Sequence, residues 1–386
     1  MNGRTTLNGL TWDHPRAYEG LDAETSRFNA MQDRIHLRWD RHSLRGFEAT
    51  PITETAARYD LIILDHPFMG DAAAAGVLID LNDHATALNL ESLRTAFVGP
   101  SYESYAYRGG LWALPIDAAC QIAVLRSNAK MPAPATMEDV RAIAAQAKIA
   151  IALACPHAFM NFLTICGLMG ADISGTGDRL IPTDIGHKAI EVLRELAGLA
   201  PAEALNWSSI DALDAMAERD DLVYCPMVFC FSSYSRPRRS TSNATLQFVN
   251  LPDLGAERGP NGSVAGGTGL AVSQTCRHLA EAIEVVAHLI SPDTQIRMAL
   301  DGGQPAHRDA WNDSAADVAN GGFFSACRRT MEGSIVRPRH AGYMKLQNAA
   351  GDLLRDDAVK PERSPRLVLG DIEALFRASL NYDSGR

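Results

Sequence analysis

The sequence predicts an open α/β fold built as two lobes. Three observations predict it. Its 386 residues are too many for one ordinary core, so about two domains are expected. Strand-like and helix-like stretches alternate from the start of the chain, as in an open α/β sheet. Tyr59-Asp60-Leu61-Ile62-Ile63-Leu64 is apolar enough for a central parallel strand buried on both faces.

Residues 5–12 read as the first strand. Residues 18–31 follow as a helix, with Leu21, Phe28 and Met31 on one face. Ile35, Leu37 and Trp39 alternate with polar residues, giving a strand of period two. A short helix at 53–58 leads into the buried strand. Asp65-His66 ends that strand and Trp12-Asp13-His14 ends the first, so both clusters are expected on the rim where open parallel sheets bind ligands. Gly109-Gly110 marks a turn before an apolar strand that stops at Pro115. Residues 121–125 form another strand, with Ile116-Asp117-Ala118 crossing between lobes.

Thr136 caps a helix whose first turn carries Glu138 and Asp139. Ile149, Ile151 and Leu153 alternate into Cys155-Pro156-His157, a strand end with polar groups where the second lobe begins. Helices are expected at 186–200 and 209–218, and strands at 222–225 and 245–249, with a polar basic loop over 232–239. The glycine- and proline-rich stretch 251–267 reads as a linker. Residues 269–272 form a strand, and 278–290 an amphipathic helix with Leu279, Ile283, Val286 and Ile290 in one stripe. Ser291-Pro292 stops it, and another helix starts near Asp293. From about residue 316 the tail is mostly helical, broken near 360–366. There is no internal repeat and no low-complexity tract.

Hydrophobic residues make up 46% and charged residues 21%, enough apolar material for two cores. A net charge of −10 disfavours a general nucleic-acid binder. Cys120, Cys155, Cys166, Cys225, Cys230, Cys276 and Cys327 form no C-x-x-C pair, which argues against a disulfide framework or zinc knuckle. They read as buried free thiols, suited to a reducing compartment. Met1-Asn2-Gly3-Arg4 has no leader pattern, and no run approaches the ~18 apolar residues of a membrane span. The chain as it stands is expected to be soluble and cytoplasmic, or periplasmic if a leader has been removed.

The order of elements resembles the family-1 extracellular solute-binding proteins, the group that includes maltose-binding protein. Three stretches carry the resemblance. Tyr59 to Asp65, followed by Gly76-Val77-Leu78-Ile79-Asp80-Leu81, is like the family's buried strand and "aG-x-L-x-p-L" segment. Gly110-Leu111-Trp112-Ala113-Leu114-Pro115 is like its "G-x-x-y-x-x-P" crossing strand. The third runs from Gly267 to Ala271 through the following helix and Ser291-Pro292-Asp293-Thr294-Gln295 to Gly303-Gln304-Pro305-Ala306. Each motif is weak alone; their order spans nearly the whole chain. The family's leader and lipid-attachment cysteine are absent, and Trp12-Asp13-His14-Pro15 lies outside its general pattern.

The resemblance implies a type II periplasmic-binding-protein-like fold, two α/β lobes joined by a hinge over an interlobe cleft. One lobe would combine 1–114 with 265–312, the other 115–264 with 313–386. Ligand would bind between them and be trapped by closure.

Trp12, Asp13 and His14 are the leading cleft candidates: an indole stacks on a flat apolar face while carboxylate and imidazole bond hydroxyls or amines. The alternative is a core tryptophan followed by a turn. Asp65 and His66 follow the same logic, against a helix cap before Pro67. Asp117 is either a cleft residue or a hinge-side hydrogen bond. His157 and Asn161 would meet the ligand from the second lobe, and Phe229 with Tyr234 would give an aromatic wall or core packing. Gly267, on the third motif, is a candidate ligand-binding position, although Gly266-Gly267-Thr268-Gly269 reads from its residues only as a glycine-rich strand entry. Arg236, Arg238 and Arg239 suit an anion but fit a solvated loop better. Arg337 and Arg339 precede a helix whose counterpart in maltose-binding protein reaches the cleft, which would imply an anionic ligand group. His14, His66 and His157 with Asp13 or Asp65 form the one conceivable metal set, but they read as hydrogen-bonding residues. No metal and no cofactor are expected.

The first functional reading is a monomeric binding protein for a small polar, carbohydrate-like solute, partnered by an ABC importer permease or acting as a cytoplasmic metabolite binder. It does not insert into membranes. The second is an enzyme on the same fold, with Asp13, His14, Asp65 and His66 as acid–base groups. The third is a sensor of an anionic or phosphorylated ligand. No P-loop, complete G-x-G-x-x-G, G-x-S-x-G or H-E-x-x-H occurs, which favours binding over catalysis.

Overall fold

The computed structural model describes residues 4–43, 50–236, 244–254 and 261–384. Thr5–Trp12 (β1) pairs in parallel with Ile35–His42 (β2), Thr5 opposite Ile35 and Trp12 opposite His42. The helix between them, Pro15–Met31 (α1), starts ahead of the predicted residue 18. Pro15 suits a first helical position, where its missing N–H is not needed, and His14 Nδ1 accepts from the Arg16 amide at 3.2 Å. Leu61–Asp65 (β3), buried over Leu61 to Leu64, is parallel to β1, so Trp12 and Asp65 end on the same edge. One 3-10 turn then leads into Met69–Ala75 (α2).

Leu114–Arg126 (β4) is one strand of 13 residues, buried throughout, where the sequence predicts two strands and a crossing. Pro115 does not end it because the register slips there: Gly269 faces Pro115 while Thr268 faces Asp117. Such a bulge does not need the missing N–H. Lys148–Ile149 (β5) is shorter than the alternation predicts. The Leu153 and Ala154 amides bond Ala204 O and Trp207 O instead of a strand.

Beyond it come His157–Leu168 (α3), Thr183–Leu199 (α4) and Ser209–Glu218 (α5). α5 starts where predicted because Ser208 and Asp211 form a capping box. Leu222–Phe229 (β6), Leu246–Val249 (β7) and Ala265–Val272 (β8) complete the sheet. Arg238 and Arg239 lie outside the described residues. Part of the predicted linker is therefore strand, since Ala265, Gly266 and Gly267 belong to β8. Gly267 has φ +103°, and a β-carbon there would run into Asp117 O and Ala118 Cα, so only glycine lets β8 pass β4 this closely.

Leu279–Leu289 (α6), Pro292–Leu300 (α7), Phe323–Glu332 (α8), Tyr343–Val359 (α9) and Pro365–Ser384 (α10) follow. The tail's polar break separates α9 from α10, as expected.

The eight strands of the main sheet run β2–β1–β3–β8–β4–β6–β5, with β7 also on β4, and Ala106–Tyr107 pairs separately with Gly110–Leu111. β8 is antiparallel to β3 and to the first half of β4, whose second half carries β6 and β7. One core gathers Leu7, Leu10, Ile62, Leu270 and Val286 with others; a second gathers Phe159, Phe162, Ile190, Leu354 and Phe376. α3, α4, α9 and α10 pack around the second. All seven cysteines are free. Among the described residues no helix is long and apolar enough to cross a membrane.

Candidate functional site

The ends of β1, β3 and β6, the β4–β8 contact, and the starts of α1, α3, α5 and α9 converge on one cavity. It holds about 750 Å³ including its open mouth. Aromatic and thioether side chains make most of its wall: Trp12, Phe68, Phe229, Phe231, Met160 and Met344. The polar groups come as pairs.

Arg337, only 3% exposed, places Nη2 at 3.1 and 3.0 Å from the two Asp65 carboxylate oxygens. Its Nη1 donates to Gln347 Oε1 at 2.8 Å and lies 3.4 Å from the Met160 sulfur. Burial pushes the Asp65 carboxyl up, but Arg337 and bonding from His66 hold it well below the usual carboxylate range. Arg16, on the first turn of α1, donates through Nε to Asp117 Oδ2 at 2.8 Å and through Nη2 to Oδ1. Its Nη1 donates to Cys230 O at 2.9 Å. Burial opposes the charge on Arg16, yet Asp117 raises its pKa and keeps it protonated. The guanidinium sits 4.7 Å from the Phe231 ring centroid and 5.8 Å from that of Trp12; Arg337 sits 5.9 Å from Phe229. Both arginines are thus neutralised by carboxylates and set against aromatic rings. His157 lies against Ser209, and burial lowers its pKa to about 4, so it is neutral.

Of the candidate residues singled out in the sequence, Trp12, Asp65, His157, Phe229, Gly267 and Arg337 line this cavity. The following do not. Asp13 is exposed, 3.9 Å from Arg41, because the turn after β1 points it to solvent. His14 caps α1 and stacks on Trp12 at 5.3 Å, behind the wall. His66 is fully buried behind Asp65, its Nδ1 3.2 Å from Oδ1. Its pKa falls to about 4, through burial and then the Arg337 charge. Asp117 holds Arg16 from an adjoining small cavity. Asn161 is tied into the core, donating to Ala152 O at 2.7 Å and accepting from Gln121 at 2.8 Å. Arg339 donates to Glu103 O, away from the cavity. Tyr234 packs in the core, its hydroxyl 2.8 Å from Asp214. The acid–base quartet Asp13, His14, Asp65 and His66 is therefore not assembled in the cavity. Among the described residues no group of three or more His, Cys, Asp or Glu could hold a metal ion.

The solved structure of maltose-bound MalE3 from T. maritima matches with a TM-score of 0.82 at 16% identity, over 97% of this chain and 99% of that one. An ABC transporter solute binding protein from Agrobacterium radiobacter K84, in complex with ribitol, gives 0.77 at 16%, over 99% of each chain. One from Agrobacterium vitis S4 with bound D-mannitol gives 0.75 at 14%, over 98% of each. This is the periplasmic-binding-protein fold. No family model and no curated protein matches the sequence.

Among the cavity-lining residues that sequence reasoning misses, Arg16, Ser209, Met344 and Gln347 lie in the first two turns of helices, and Phe231 follows the end of β6. The available signal for Arg16 is Pro15, which starts the helix early enough to put Arg16 beside Trp12. For Met344 and Gln347 it is their three-residue spacing on one helix face, just after Arg337.

Proposed function

We propose that this protein binds a small neutral polyhydroxylated ligand, a sugar or a polyol, and traps it by closure of its two lobes. The observation that carries the reading is the charge balance of the cavity. Arg337 is matched by Asp65 and Arg16 by Asp117, inside an aromatic wall. An anionic ligand would compete with carboxylates already bonded to the arginines, and a cation would meet aromatic faces already covered by guanidinium. A neutral ring or chain with apolar faces and hydroxyl edges meets neither obstacle. The neighbours in fold bear bound maltose, ribitol and D-mannitol, which supports the same class.

The lobes divide as 1–114 with 265–312 and 115–264 with 313–386, hinged where β4 and β8 run together. The protein acts as a monomer and delivers its ligand to the permease of an ABC importer.

A thermal-shift panel of maltose, ribitol, D-mannitol and D-tagatose tests the reading. At hundredfold excess over Kd, binding stabilises the native state by about 2.7 kcal/mol, so at least one ligand should raise Tm and be recovered unchanged. Trp12→Ala should abolish that rise. A panel without any shift, or a ligand recovered in altered form, sinks the reading.

A further inference from the structure

Cys120 on β4, Cys230 just after β6 and Cys327 on α8 are buried and meet behind the cavity wall. The antiparallel register that sets Gln121 opposite Phe229 carries Cys120 to Cys230, whose amide donates to Cys120 O at 3.1 Å. Opposed residues of an antiparallel pair have Cα atoms about 4.5–5.5 Å apart, within the span that a disulfide bridges. The Cys230 sulfur gathers the hydrogen bonds at this junction. The Cys120 amide donates to it at 3.5 Å and Gln304 Nε2 at 3.6 Å. The thiols of Cys120 and Cys327 donate to it as well.

Donors converging on one sulfur favour its thiolate, the form that acts as a nucleophile. Burial opposes the charge, but the two thiols and the nearby Arg16 guanidinium hold Cys230 well below the usual thiol range. Burial pushes the Cys120 and Cys327 thiols up, so they keep their protons. One sulfur is thus set to react first, with two neighbours in reserve. A small cavity that shares Trp12, Arg16 and Thr268 with the main one is also lined by Gln304, whose amide touches that sulfur. It gives a molecule little larger than water an approach.

We propose that Cys230 is a peroxide-reactive thiol that closes a disulfide to Cys120 or Cys327 and thereby weakens ligand binding. The Cys230 thiolate attacks one oxygen of hydrogen peroxide. The O–O bond breaks, and the departing hydroxide takes a proton from solvent to become water. The neighbouring thiol then attacks the sulfur of the sulfenic acid: the S–S bond forms, the S–O bond breaks, and a second water leaves with the thiol proton. Two cysteines are oxidised and one peroxide is reduced. Cys230 O accepts from Arg16 Nη1 at 2.9 Å and from Gln304 Nε2 at 3.3 Å, and Phe229 and Phe231 on either side of Cys230 line the cavity. Drawing Cys230 into a disulfide therefore shifts both the arginine and the aromatic wall. The effect on binding rests on the ligand-trapping reading; the disulfide does not.

Two measurements test this. The reduced protein is treated with hydrogen peroxide, denatured with an alkylating agent, digested and mapped by mass spectrometry. A peptide pair joining Cys230 to Cys120 or to Cys327 should appear, and should be missing from Cys230→Ser. Oxidation confined to the half-buried Cys155 and Cys276, with Cys230 recovered alkylated, overturns the proposal. In calorimetry with maltose, ribitol and D-mannitol, the oxidised protein should bind the accepted probe about tenfold more weakly, as expected for a lost hydrogen bond. Dithiothreitol should restore the affinity, and peroxide should leave that of Cys230→Ser unchanged. Unchanged affinity in the cross-linked protein overturns the proposal and leaves the ligand-trapping reading standing. If the reduced protein takes none of the three probes, that reading falls, and the mapped disulfide alone decides the chemistry of Cys230.

Discussion

Folding seals two imidazoles, His66 and His157, in places where about pH 4 is needed to protonate either. In the unfolded chain each takes up a proton near pH ~6.5. Between those values the unfolded state binds more protons, so stability rises with pH and falls on acidification. Each histidine contributes fully above pH ~6.5, and its contribution drains away as the pH drops toward 4. Urea titrations should therefore show a loss of about 2 kcal/mol per histidine between pH 7 and pH 5. His157→Gln should flatten the slope by one histidine's share; an unchanged slope would show that His157 protonates as freely in the fold as outside it. Asp65 acts in a lower window. Its depressed pKa gives stability that is complete above the unfolded carboxylate value and lost only in strong acid.

Residue types alone separate poorly into cavity and scaffold. Asp13 and Asp65 both follow strand ends, yet the turn after β1 exposes one while Arg337 draws the other inward. Arg337 and Arg339 stand two residues apart and part company for the same reason, since only one finds a carboxylate across the cavity.

At the scale of elements, β4 and β8 decide the architecture. The bulge at Pro115 lets β4 continue where a proline would otherwise end it, and Gly267 lets β8 cross beside it. Gly267→Ala forces a β-carbon against Asp117 O at a φ of +103°, a conformation that side chains resist. The variant should lose about 1–3 kcal/mol, read as a lower urea midpoint at unchanged slope. A midpoint equal to that of the native protein would mean that the two strands separate easily. The elements with strong local signals are legible in the sequence. β1, β3 and α5 fall within a few residues of their expected bounds because burial pattern and capping are local properties. β5 and the start of β8 are not, because their lengths depend on partners far along the chain. Ala204 and Trp207 take the amides that would have extended one, and β4 pairs the glycines that look like a linker in the other.

At the scale of the whole molecule, the segment 337–342 reaches across to the end of β3, to α2 and to the chain at Glu103. Arg337 reaches Asp65, Arg339 reaches Glu103 O, and the Gly342 amide donates to Asp71 at 3.0 Å. Gly70, on α2, lies directly against the backbone of Arg339 and Ala341, and a β-carbon there would collide with both. Gly70→Ala should hold the halves apart. Small-angle scattering should show a larger radius of gyration with an unchanged helical signal, and ligand should bind more weakly. A scattering curve identical to the native one would show that closure does not need this approach. The fold as a whole is legible from the order of elements, because strand–helix alternation and buried runs survive where single positions mislead.

The position of β8 between β3 and β4 has a further consequence. As the polypeptide leaves the ribosome, β3 emerges long before β8, with β4, β5, β6 and β7 made in between. The slot beside Leu61–Asp65 stays empty until residue 272 is out. The first-made segment therefore cannot finish its sheet during its own synthesis; it must wait, partly open, for a strand that begins about 200 residues downstream, from Asp65 to Ala265.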